Sequence, residues 1–189
     1  MGLSRDHLET FRNATVPDLV GPGLRLLFVG INPGLWTAAV QTHFAHPGNR
    51  FYPALAMAGI IERSIDRSAG MSDDDRAHLV ERGIGITNLV ERATARASEL
   101  EVGELKAGAA RLESTVAEYR PRVVAVAGIS AYRSAFALPR AKPGRQELGM
   151  GGAVVWVVPN PSGLNAHETV ESLAAAYRRA ALEAGVVEA

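Results

Sequence analysis

The sequence predicts the α/β class, as a three-layer αβα sandwich with a central, mainly parallel sheet, and two observations carry that expectation. Short apolar runs recur without alternating polar residues, the mark of strands buried on both faces. Between them lie segments whose apolar residues recur at helical spacing, so strands and helices alternate along the chain.

The first run, 25–29, is short and rich in large apolar residues, and Val123–Ala127 and Val154–Val158 read the same way. Parallel pairing follows from their two-sided apolar character. Ser72 is placed as an N-cap with Asp73, Asp74 and Asp75 in the first turn of a helix, where carboxylates suit the dipole, and Gly83 lies where the chain should leave it. Leu105, Ala109, Leu112, Val116 and Tyr119 make one apolar helical face that ends before Pro121. A last helix, about 168 to 183, turns Leu173, Ala176, Tyr177 and Ala180 toward the sheet. The stretch near 65–72 reads as a surface connection.

A chain of 189 residues with 47% hydrophobic content fits one domain, with a core of about 22–184 and an N-terminal extension over 1–21. It has no cysteine, which excludes disulfides, thiolate metal sites and cysteine nucleophiles and points to a cytoplasmic setting. No apolar stretch approaches a membrane span, so no membrane role is expected. Lys plus Arg equals Asp plus Glu at 20 each, so any contact with nucleic acid must be local. Arg140, Lys142 and Arg145, with Glu147 as the single nearby acid, form one basic loop that is either such a contact or a solvated surface.

Open parallel sheets bind ligands beyond the carboxyl ends of their strands, which directs attention to three loops. They are Gly30-Ile31-Asn32-Pro33-Gly34, Gly128-Ile129-Ser130 and Pro159-Asn160-Pro161-Ser162-Gly163-Leu164-Asn165. The first alone has a bland reading as a turn or an anion nest. Its context is richer, because Phe44-Ala45-His46-Pro47-Gly48-Asn49-Arg50-Phe51 follows closely.

At these residues the chain resembles the mismatch-specific uracil-DNA glycosylases, the bacterial branch of the thymine-DNA glycosylase family. The motif G-I-N-P-G stands at Gly30 to Gly34, F-A-H-P-x-N-R-F at Phe44 to Phe51, and N-P-S-G-L at Asn160 to Leu164. Weaker similarity runs through Gly85 to Thr94 and the final helix, so that it spans roughly residues 22 to 177. Classical uracil-DNA glycosylases carry an acid in the first motif and a histidine in the second, where this chain has Asn32 and Asn160, and the iron–sulfur branches need four cysteines.

The resemblance implies a monofunctional glycosylase that removes a flipped uracil, with thymine or etheno-cytosine as further substrates. Its partner would be double-stranded DNA bearing a G·U or G·T mispair, and it would act as a monomer without cofactor or metal. Cleaving the bond to N1 leaves positive charge on the sugar and negative charge on the base, so a site can work by stabilising the anion and placing a water. Asn32 is assigned that water, through its non-titrating side-chain carbonyl. The target base must leave the stack to be reached, most cheaply at a mispair. Gly30, Ile31, Phe44 and Thr37 are expected around it, with Phe44 stacking on the base and the backbone of Ile31 and Phe44 meeting its edge. Gly163, Leu164 and Asn165 form the expected wedge, Leu164 filling the gap while backbone groups read the opposite guanine. Ser162, Asn160 and Asn88 are expected at DNA phosphates, although Ser162 also suits a cap within its own loop.

Several positions depart from the family pattern. Asn88 and Ala93 replace a lysine and a proline, Ala166 replaces an arginine, and Trp36 and Thr37 stand where small residues are usual. Glu91 is the nearest acid able to assist as a base. His43, His46 and His167 lack the cysteine or carboxylate company of a metal site, and His46 is expected to bond backbone in its turn. Two rivals stay open: a uracil glycosylase without mismatch preference, and a non-catalytic nucleotide- or lesion-binding module.

Overall fold

The computed structural model of the chain describes residues 3–189. Its centre is a five-stranded sheet of β1 (Leu26–Gly30), β2 (Ile84–Asn88), β3 (Val123–Ala127), β4 (Gly144–Arg145) and β5 (Val154–Val158). They lie in the order β2-β1-β3-β5-β4, parallel except for the antiparallel edge strand β4. Helices α1 (Arg5–Glu9), α2 (Leu35–Val40), α3 (Phe51–Met57), α4 (Asp73–Glu81), α5 (Val102–Tyr119), α6 (Ile129–Phe136) and α7 (Val170–Ala184) complete the domain.

β1, β3 and β5 feed both faces, and that is why their runs do not alternate, whereas β2 gives Ile84 and Ile86 to one face only. Leu26, Phe28, Val123 and Ala125 join Phe51, Leu55, Leu79 and Tyr177 on one side. Leu27, Val29, Val124, Val126, Val155 and Val157 meet Leu105, Leu112, Val116 and Tyr132 on the other. Two separate cores therefore sandwich one sheet, as the apolar runs require.

The capping expectations hold. Ser72 accepts from Asp75 N–H at 3.1 Å at the start of α4, and Gly83 leaves that helix with φ 73°. α5 stops at Arg120, which takes the left-handed conformation directly before Pro121.

Four details differ from the sequence reading. The first strand is shifted by one, so Gly30 closes it. β2 was not expected, because Thr87 and Asn88 break its apolar run; both are buried, and their polar groups find distant partners described below. The stretch near 65–72 is anchored as well as exposed, since Ile65 and Met71 enter the core. The basic loop is partly spent, for Arg145 Nε pairs with Glu183 at 2.9 Å while Arg140 and Lys142 stay exposed. Among the described residues no helix is long and apolar enough to cross a membrane.

Candidate active site

β1, β3 and β5 all end at the same side of the sheet, where the loops leaving β1 and β5 line a cavity of about 860 Å³ together with Ala127 at the end of β3. That is ample for a nucleobase and its sugar. Gly128, Ile129 and Ser130, expected beside it, are not in its lining. Gly30, Ile31, Asn32, Thr37, Phe44, Asn88, Asn160, Ser162, Gly163 and Leu164 all line it. Gly30 must be glycine for a packing reason: a Cβ there would sit 2.3 Å from Asn88 Oδ1 and 3.1 Å from Phe44 Cζ. The absent side chain lets Phe44 and Asn88 close over the strand end.

Asn32 is held by its amide nitrogen. Nδ2 donates to Thr94 Oγ1 at 2.8 Å, Arg92 O at 3.0 Å and Pro33 O at 3.1 Å. Its Oδ1 receives no donor among the described residues, so a half-buried carbonyl is left to the cavity that Asn32 lines. The partners are themselves fixed. Thr94 is buried and spends its hydroxyl hydrogen on Arg96 O at 2.8 Å. The Arg92 guanidinium grips Glu104 at 2.5 and 3.0 Å, which holds that carboxyl down to about 2.

Phe44 adopts φ 55°, a left-handed backbone that costs a non-glycine residue roughly 1–2 kcal/mol. Bonds on either side hold it there, from Tyr52 OH to His43 O at 2.8 Å and from Ala45 N–H to Thr37 Oγ1 at 3.4 Å. One ring face stacks on Phe51 at 4.2 Å, and the side chain also lines the cavity. Thr37 thus serves the pocket twice, as lining and as a tie on the Phe44 turn. Ile31 O accepts from Val90 N–H at 2.9 Å, which ties this loop to the chain after β2.

Asn88 is almost fully buried where it lines the cavity. It is 6% exposed at the end of β2, with Nδ2 donating to His43 Nδ1 at 3.1 Å. His43 donates Nε2–H to Pro17 O at 2.8 Å, which fixes the tautomer and leaves Nδ1 as the acceptor. Burial pushes the His43 pKa down, so the ring stays neutral. The side chain of Asn88 keeps its carbonyl and second amide hydrogen for whatever fills the cavity.

The 160–165 loop is locked from across the site by Arg50. Its Nη2 donates to Ser162 O and Asn165 O at 2.7 Å each, its Nη1 to Glu168 O, and its backbone N–H to Pro161 O at 3.0 Å. Within the loop Asn160 Oδ1 accepts from Ser162 N–H at 2.9 Å and Asn165 Nδ2 donates to Asn160 O at 3.1 Å. The Ser162 hydroxyl accepts from Leu164 N–H at 3.3 Å, the cap within its own loop that the sequence allowed. Gly163 lies on the 44–51 loop so closely that a Cβ would meet Gly48 O at 2.6 Å. Leu164, at the tip, is 91% exposed, which excludes its packing under the loop.

Glu91 is placed away from the cavity. It is exposed, does not line the pocket, and lies 3.7 Å from Arg111, which also faces Asp18. No acid therefore stands ready beside Asn32 from that side. His46 Nδ1 accepts from Gly48 N–H at 3.1 Å, the backbone bond expected of it. Sequence reasoning missed Thr94, Arg92, His43 and Arg50 as supports; only their place inside or beside the quoted motifs signalled them.

The site's frame recurs in known proteins. A solution NMR structure of a candidate uracil DNA glycosylase from Methanosarcina acetivorans superposes with a TM-score of 0.55 at 18% identity, covering 87% of this chain and 96% of that one. At that identity the likeness is one of fold. Residues 17–184 match the family described as the uracil DNA glycosylase superfamily, a span that includes the loops at Gly30–Gly34, Phe44–Phe51 and Asn160–Asn165. With most of its length matched, the chain belongs to the uracil DNA glycosylase superfamily, a family of DNA N-glycosylases.

Proposed function

We propose that the protein is a monofunctional glycosylase that hydrolyses the N-glycosidic bond of flipped uracil, preferring uracil mispaired with guanine. The observation that carries this reading is the tethered amide of Asn32. An asparagine whose nitrogen is fully occupied presents only an acceptor, which suits binding and aiming a water at the anomeric carbon. Uracil leaves as a delocalised anion, so a positioned water and polar surroundings suffice without a strong base.

In this scheme Phe44 stacks on the flipped base and Leu164 enters the duplex in its place. Asn88 fits the edge of uracil: Oδ1 accepts from N3–H and the free amide hydrogen donates to O4. Cytosine reverses both groups and is rejected by unpaired polar atoms. No lysine lines the cavity among the described residues, which supports hydrolysis without a Schiff base to the sugar.

The buried Asn88–His43 pair also favours a second reading, uracil excision without mismatch preference, because direct recognition of the base lessens reliance on the opposite guanine. One substrate panel tests both. Purified protein in excess is incubated with G·U, G·T, A·U and etheno-cytosine duplexes and with single-stranded uracil DNA, and each is then treated with alkali. Strand breaks at uracil, fastest in G·U, are expected. Equal rates on G·U, A·U and single strands establish the broad reading, and no break at any uracil overturns the enzyme reading.

A further inference from the structure

We propose that the N-terminal arm and the loop after Thr94 form a cationic wall of this cavity, in which Arg5 and Arg96 take the phosphodiester backbone of the strand carrying the flipped base. The inference rests on the reading of the cavity as a base pocket; its Arg5 half lies in a segment that precedes the family match at residue 17, and Arg96 lies within that match.

Arg5, Leu8 and Glu9 line the same cavity as Asn32, and so does Arg96. The arm is built onto the stretch that orients Asn32. Asn13 N–H donates to Ala93 O and Ala93 N–H to Ala14 O, each at 2.9 Å, directly before Thr94. Leu8, Phe11 and Ala14 pack on Val16, Leu35, Ala38 and Ala93. This is a docked wall whose place is set by both backbone bonds and apolar contact.

Two of the neighbouring acids are already paired, because Arg12 bridges Glu9, at 2.8 Å, and Glu99. Asp6, the remaining acid of the arm helix, does not line the cavity. The Arg96 backbone N–H takes Glu99 as well, at 2.8 Å. Arg5 and Arg96 are exposed residues and make no ion pair with any described residue. In a molecule of zero net charge, two uncompensated cations at the pocket that must accept a nucleotide are where backbone phosphates would be neutralised. Leu164 addresses the gap left in the duplex, whereas this wall addresses the strand that moved.

The test compares kcat/KM of wild type, Arg5→Ala, Arg96→Ala and Arg5→Glu on a G·U duplex and on single-stranded uracil DNA, across about 50 to 200 mM salt. Each alanine should flatten the log–log salt dependence by about 0.9 on duplex and about 0.7 on single strand. Arg5→Glu should flatten it further. Loss on both substrates is expected because both contain the base-bearing strand. Unchanged slopes in a wild type that excises uracil overturn the wall and leave the glycosylase reading standing. Loss on duplex alone overturns the assignment to the base-bearing strand, and a wild type inactive on both substrates overturns the two readings together.

Discussion

Asn32 Nδ2 lies 2.8 Å from Thr94 Oγ1, a residue 62 positions later in the chain, and this bond helps decide which end of the amide faces the cavity. The threonine hydroxyl can accept from Asn32 because its own hydrogen is committed to Arg96 O. Thr94→Val keeps the shape and removes the acceptor. One such bond contributes about 1 kcal/mol, so kcat for uracil excision should fall roughly fivefold with KM unchanged. Asn32→Ala, which removes the proposed water ligand itself, should bind a G·U duplex yet lose at least about a hundredfold in kcat. Thr94→Val at wild-type kcat would mean that the two backbone carbonyls orient the amide without it.

The contrast between these partners shows what a sequence can disclose. Val123–Ala127 and Val154–Val158 were legible residue for residue, because each is apolar at every position and packs against apolar side chains. β2 was hidden: Thr87 and Asn88 are polar, and what makes them tolerable in the interior is Asp18 and His43, far away in sequence. The Asn32 loop and the Leu164 tip carried recognisable motifs. Their supports did not, since Arg50 and Asn32 grip backbone carbonyls, and a carbonyl has no residue identity to read.

His43 makes the pocket sensitive to acid. Burial lowers its folded pKa below the ordinary value of about 6.5, so the unfolded chain binds the proton first as pH falls. The stability that His43 contributes is complete above about pH 6.5 and is lost as pH drops through the folded value. Protonation also ends acceptance at Nδ1, so the Asn88 amide must turn. Excision measured from pH 8 down to about 5 should show an acid limb that His43→Gln flattens, because glutamine does not titrate. Coincident acid limbs in the two proteins would assign the limb to another group.

Arg50 should reveal itself as a brace. Replacing it with methionine frees the carbonyls of Ser162, Asn165 and Glu168 while preserving much of the stem. Loss of charge-assisted bonds of this kind should cost about 2 kcal/mol, or roughly 4–8 °C in Tm. Excision from duplex should suffer more than that from single strands, since the loop being loosened carries Leu164. Gly163→Ala, which drives a Cβ into Gly48 O, should reproduce the duplex defect. Equal loss on both substrates would place the effect in the base pocket instead.

Leu164 separates folding from function, because a side chain 91% exposed contributes little to the core. Leu164→Ala should leave Tm unchanged. If the leucine fills the space vacated by the flipped base, burying it in the bound duplex stabilises that complex by roughly 1.5–3 kcal/mol, and alanine should lower kcat/KM on a G·U duplex by about 10- to 100-fold. On single-stranded uracil DNA there is no stacked gap to fill, so the two proteins should match. A common loss on both substrates would argue against insertion and make the exposed leucine a contact with the strand outside the helix.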